Sequence, residues 1–151
     1  MPHSTTITEE SKPAIREVQE LGGSQTILVV DDESVVRTLA SGLLRRSGYR
    51  VGTADCGQAA LEHVAANSDN VDVVLLDVTM PGMSGKEILV KLSEEYPDVA
   101  VVICSGYLLS PDDLENETGA RPAATVQKPY ELRGLLTTLR SVLGESPALS
   151  A

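Results

Sequence analysis

The 151-residue chain has no tryptophan and no phenylalanine, and only four tyrosines. Its core must therefore be built from Val, Leu, Ile and Ala rather than from aromatic plates. Only two cysteines are present. Cys56 and Cys104 fall in strand or strand-end contexts, so no disulfide framework is expected and a reducing compartment fits. Basic residues are scarce: 12 Lys and Arg stand against 22 Asp and Glu, a formal net charge of -10. A nucleic-acid surface needs clustered Lys and Arg, so direct nucleic-acid binding is not expected. No apolar run is long enough to span a membrane. The first residues, Met1 to Thr6, lack the basic and apolar regions of a signal peptide. The cytoplasm is the expected compartment, with no membrane contact.

Short apolar runs ending in acids are what the chain does have. Val71-Asp-Val-Val-Leu-Leu-Asp77 is almost continuously apolar, the pattern of a strand buried on both faces of a parallel sheet. A charge inside such a strand would be costly to bury. At the carboxyl end Asp77 is expected to meet solvent, along the edge where open α/β sheets bind ligands. Thr26-Ile-Leu-Val-Val30 repeats the design and ends in Asp31-Asp32-Glu33. Val99 to Cys104 is a further buried run, closed by Ser105-Gly106. Tyr49 to Ala54 and Ala123 to Gln127 read as weaker strands, the latter followed by Lys128-Pro129.

Helical periodicity fills the gaps. After the first strand Val36, Leu39, Leu43 and Leu44 recur at helical spacing, opposite Arg37, Arg45 and Arg46, with Ser34 or Asp32 as cap and Gly48 as terminator. Gln58 to Ala66 packs Ala59, Leu61, Val64 and Ala65. A Pro81–Gly85 turn leads, with Ser84 as cap, into a helix that Pro97 stops. Pro111 opens a short acidic helix with Leu114 as its one strong apolar anchor. Leu132, Leu135, Leu136, Leu139 and Val142 form the stripe of a closing helix. Residues 1–24 read as a polar tail or linker carrying a short helix over Ala14 to Leu21. Residues 145–151 read as a second tail. Five strands alternating with five helices over residues 25–144 imply right-handed crossovers and a parallel α/β sheet covered on both faces.

In such a sheet Asp31, Asp32, Asp77, Ser105 and Lys128 all lie on one edge and can converge. Taken singly, each has a bland reading as cap, turn former or loop residue. Together they suit one chemistry. Clustered carboxylates repel unless a cation intervenes, and hard oxygen ligands with open positions suit Mg2+. A lysine supplies a point charge to a phosphoryl oxygen, and a serine hydroxyl a hydrogen bond. These parts fit phosphoryl transfer onto a carboxylate.

Ile27–Glu33, Leu75–Gly85, Cys104–Gly106 and Gln127–Pro129 resemble, in order and spacing, the receiver domain of two-component response regulators. The match covers nearly the whole chain outside its tails, making residues 25–144 the receiver domain. The resemblance implies a flavodoxin-like, doubly wound, five-stranded parallel sheet of order 2-1-3-4-5. It implies phosphorelay signalling, with Asp77 as phosphoacceptor from a histidine kinase or histidine phosphotransfer protein. Asp32, Asp77 and the Thr79 backbone carbonyl would hold Mg2+, with Asp31 acting through a water. Ser105 and Lys128 would contact the phosphoryl group. The chain would be a signalling module rather than an enzyme, switching a surface of the fourth helix, fifth strand and fifth helix towards a downstream protein or a homodimer. The Ser-Gly-Tyr after the fourth strand also resembles receivers at the C-terminal end of hybrid histidine kinases; a stand-alone regulator fits equally. Thr125 departs from the family, whose members often carry an aromatic there, and Tyr107 reads as an exposed loop residue. Two other classes compete. A phosphatase-like hydrolase would want a second acid at position 79, where the chain has Thr, and a phosphorylation-independent interaction module would not need every site position filled.

Overall fold

A computed structural model of the protein describes residues 25–80 and 84–144. The expected helix over Ala14 to Leu21, the Pro81–Met83 part of the turn and both tails lie outside the described residues. Five strands, β1 (Thr26–Val30), β2 (Arg50–Ala54), β3 (Val73–Asp77), β4 (Ala100–Ser105) and β5 (Ala124–Gln127), form one parallel sheet in the flavodoxin-like order β2-β1-β3-β4-β5. Between and after them come α1 (Ser34–Arg46), α2 (Gly57–Ala66), α3 (Gly85–Glu95), α4 (Pro111–Thr118) and α5 (Leu132–Leu143).

Strand composition explains the order. Every residue of β3 is buried, as are four of five in β1, and these apolar strands take central places. The polar and glycine-containing β2 and the short β5 stay partly exposed at the two edges. Strand alternation divides the core in two. Ile27, Val29, Val73 and Leu75 face α1 and α5; Leu28, Val30, Val74 and Leu76 face α2, α3 and α4. The chain reverses direction across the sheet between β1 and β3, which opens a crevice at their carboxyl ends.

Several local expectations shift. Leu39 is 60% exposed, while α1 buries Leu44 as expected and, with it, Ala40 and Ser41. The covered face is the one turned to the sheet and α5, where Ala40 and Leu44 join Ile27, Val29 and Leu135. The N-cap of α1 is Glu33, without a side-chain cap, and its own amide donates to the Asp31 carboxylate at 2.9 Å. In α2 the innermost small residue is Ala60 rather than Ala59, and Ala65 is exposed. Tyr49 is buried just before β2, and Ser105 is the last residue of β4 rather than a turn residue. Other punctuation falls as read. Gly48 has φ 100° beyond the end of α1. Ser84 forms a reciprocal capping box with Glu87. Ser110 and Pro111 start α4, whose one buried residue is Leu114.

Candidate phosphoacceptor site

The site begins with where β1 and β3 stop. Val30 pairs with Leu76, so Asp31 and Asp77 are the next residues on adjacent strands. Asp31 still belongs to the ladder, its amide donating to the Ala54 carbonyl at 3.1 Å. Its carboxylate is thereby aimed from a rigid strand end, not from a loop. Asp31 is fully buried and Asp77 only 2% exposed, while Asp32 is exposed. Asp77 thus does not meet solvent freely, because Thr79 and Lys128 cover it.

Lys128 closes the pocket from the end of β5. Its Nζ lies 2.9 Å from Asp31 Oδ2, 3.4 Å from Asp77 Oδ2 and 3.8 Å from Glu33 Oε1. The lysine is held there by its own backbone, whose amide donates to the Ser105 carbonyl at 2.6 Å. Burial pulls the Lys128 ammonium down, but the hydrogen bond to Asp31 and the charges of Asp77 and Asp31 outweigh it, leaving it above its ordinary 10.5.

Ligand oxygens of Asp31, Asp32 and Asp77 all lie within 4.8 Å of one another. Three carboxylates against one ammonium leave two formal negative charges, which a divalent cation matches. The donors are hard oxygens on converging strand ends, and this set fits Mg2+. Thr79 meets Asp77 in a way its spacing did not announce. Both its amide and its hydroxyl donate to Asp77 Oδ1, each at 3.0 Å. One carboxylate oxygen is thus committed to Thr79, and the other faces Lys128.

Below the pocket Cys104 sits opposite Asp77 in the strand register. Burial pushes its thiol up to about 12, despite a hydrogen bond with Tyr130. Burial also pushes the Tyr130 phenol up. Both groups are neutral at pH 7, so the pocket floor adds no charge. Ser105 is buried, and its Oγ accepts the Tyr107 amide at 3.0 Å rather than touching the carboxylates.

Three contributors escaped the sequence reading. Arg37, placed on the outer face of α1, donates from Nη1 to the Asp31 carbonyl at 2.7 Å. Glu33 adds a fourth carboxylate at the mouth. Gly85 lets α3 start against the site: a Cβ there would lie 2.5 Å from Val78 Cα and 2.6 Å from the Asp77 carbonyl oxygen. Its place in the Met-Ser-Gly turn was visible, but the contact that demands glycine was not.

Residues 27–140 match the response regulator receiver domain family. The chain belongs to that family. The receiver is 34% identical over 131 residues to sensor kinase CckA of Brucella abortus, covering 85% of this chain and 14% of that one. It is 36% identical over 125 residues to the probable transcriptional regulatory protein TcrX of Mycobacterium tuberculosis, covering 81% of this chain and 51% of that one. The chain thus spans about half or less of the length of these two relatives. Among solved structures it is similar to a response regulator receiver domain from Clostridium thermocellum, with TM-score 0.71 and 29% identity, covering 83% of this chain and 98% of that one. Receivers are phosphorelay signalling domains rather than turnover enzymes. Among the described residues of this one, no helix is long and apolar enough to cross a membrane.

Proposed function

We propose that this receiver accepts a phosphoryl group on Asp77 from a histidine of a partner kinase or phosphotransfer protein. The observation that carries the reading is the Lys128 ammonium bridging Asp31 and Asp77, residues 97 and 51 positions away in the chain. Asp77 Oδ2 is the nucleophile, because Thr79 occupies Oδ1. Its bond to phosphorus forms as the phosphorus–nitrogen bond of the donor breaks, and that electron pair returns to the imidazole nitrogen. Lys128 then trades a carboxylate for a phosphoryl oxygen, and Ser105 turns its hydroxyl towards the same group. Asp32 and Asp77, with the Thr79 carbonyl, would hold Mg2+, which would supply charge neutralisation to the phosphoryl oxygens. Asp31 would act through a water. The modified domain switches a protein-interaction surface in the cytoplasm, facing a downstream protein or a second copy.

Incubation with acetyl phosphate and Mg2+, read by mass spectrometry or Phos-tag mobility, tests this. One added phosphate is expected on the wild type and none on Asp77→Asn. Phosphate retained by the variant, or absent from the wild type, sinks the assignment.

A further inference from the structure

Asp32 is the exposed member of the carboxylate cluster, so packing does little to aim it. Its aim rests on the two peptide groups that flank it. The peptide before it is held by its oxygen, the Asp31 carbonyl, which accepts from Arg37 Nη1 at 2.7 Å. The peptide after it is held by its nitrogen, the Glu33 amide, which donates to Asp31 Oδ1 at 2.9 Å. Arg37 meets the same loop a second time, its own amide donating to the Glu33 carbonyl at 2.9 Å. Half-buried and one turn into α1, its guanidinium reaches back from the helix onto the end of β1.

We propose that Arg37 is a positioning residue for the metal site, setting the direction of the Asp32 carboxylate through the backbone. The inference rests on the Mg2+ site proposed for Asp32 and Asp77. A peptide unit is planar, so fixing its oxygen fixes the plane from which the next residue departs. Asp32 Cα is the corner shared by the two held planes, and its Cα–Cβ bond is thereby aimed. A guanidinium–carbonyl bond is charge-assisted, about twice as strong as a neutral one. Its loss frees the Asp31–Asp32 peptide to rotate. The charge of Arg37 acts the other way. A guanidinium beside a metal site repels the metal ion, so on charge alone Arg37 is unfavourable to Mg2+. Positioning and charge therefore predict opposite signs when the arginine is replaced.

The test is Mg2+ alone, titrated into wild type, Arg37→Met and Arg37→Lys and followed by amide NMR shifts, with urea denaturation of each protein. Methionine keeps an apolar stem but has neither donor nor charge; lysine keeps a charged donor. Arg37→Met is expected to bind Mg2+ roughly tenfold more weakly, as when a metal ligand loses an outer partner, and Arg37→Lys to recover most of that loss. A brace of purely structural value would lower the urea midpoint and leave the Mg2+ affinity of the folded protein unchanged or raised. Equal or tighter Mg2+ binding by Arg37→Met therefore overturns the positioning role, as does a lysine variant that binds no better than methionine. Where methionine unfolds the chain, Arg37→Gln carries the same expectation. A folded wild type that binds no Mg2+ overturns the metal site itself, before any variant is compared.

Discussion

Two parts of one sheet edge are held in opposite ways. At the ends of β1 and β3, each buried carboxylate is constrained from several directions. Asp31 is fixed through its amide, its carbonyl, its bond to Glu33 and its pairing with Lys128. Asp77 has Thr79 on one oxygen and Lys128 on the other. The loop leaving β4 has two hydrogen bonds and one half-buried anchor, Leu109, while Tyr107 and Leu108 face water. Chemistry demands preorganised groups, whereas a readout demands a segment whose opening costs little. Both follow from how many independent contacts hold the backbone.

Breaking the rigid part should therefore cost far more than breaking the compliant one. The largest effect is expected from Lys128→Ala. Losing the ammonium leaves two buried carboxylates facing each other, a loss of about 3 kcal/mol in urea denaturation. The pH dependence sharpens this. The folded-state value of Lys128 is raised above 10.5, so its contribution is complete below 10.5 and is lost as pH climbs through that raised value. Wild-type stability should fall more steeply than that of Lys128→Ala above that point. Equal stability of the two proteins at pH 7 would mean that the pocket is not held by this lysine.

Gly85→Ala comes next. A methyl group 2.5 Å from Val78 Cα has nowhere to go but through the backbone. A cost of about 2 kcal/mol is expected from overpacking. Displacement of Asp77 should also slow phosphate incorporation from acetyl phosphate by roughly tenfold or more. Unchanged incorporation would show that α3 yields without disturbing β3. The smallest effect belongs to the loop. Leu108→Ala should change stability by no more than about 0.5 kcal/mol, because an 82% exposed side chain has little burial to lose. A loss comparable to Gly85→Ala would erase the contrast between the two regions.

The strand ends were readable because burying charge is expensive: an acid closing an apolar run had to lie at a sheet edge, as Asp31 and Asp77 do. The central places of β1 and β3 follow from their unbroken apolar stretches, and the edge places of β2 and β5 from their mixed ones. Leu39 shows where periodicity stops being enough. Around α1 Leu39 stands about 140° from Leu44, and only the partner surface decides which side of the helix is covered.

What the chain's order of residues determined by itself was local and additive: five alternating units, their apolar faces, and which charges sit at strand ends. These follow from solvation costs that each segment meets alone. Tertiary structure decided what depends on distance between segments far apart in the chain. Only folding brings Lys128 to 2.9 Å from Asp31, aims the Thr79 hydroxyl at one oxygen of Asp77, requires glycine at 85 and ties Thr125 to Leu109. Hydrogen bonds and charge pairs change sharply within an ångström, and no sequence pattern carries that resolution.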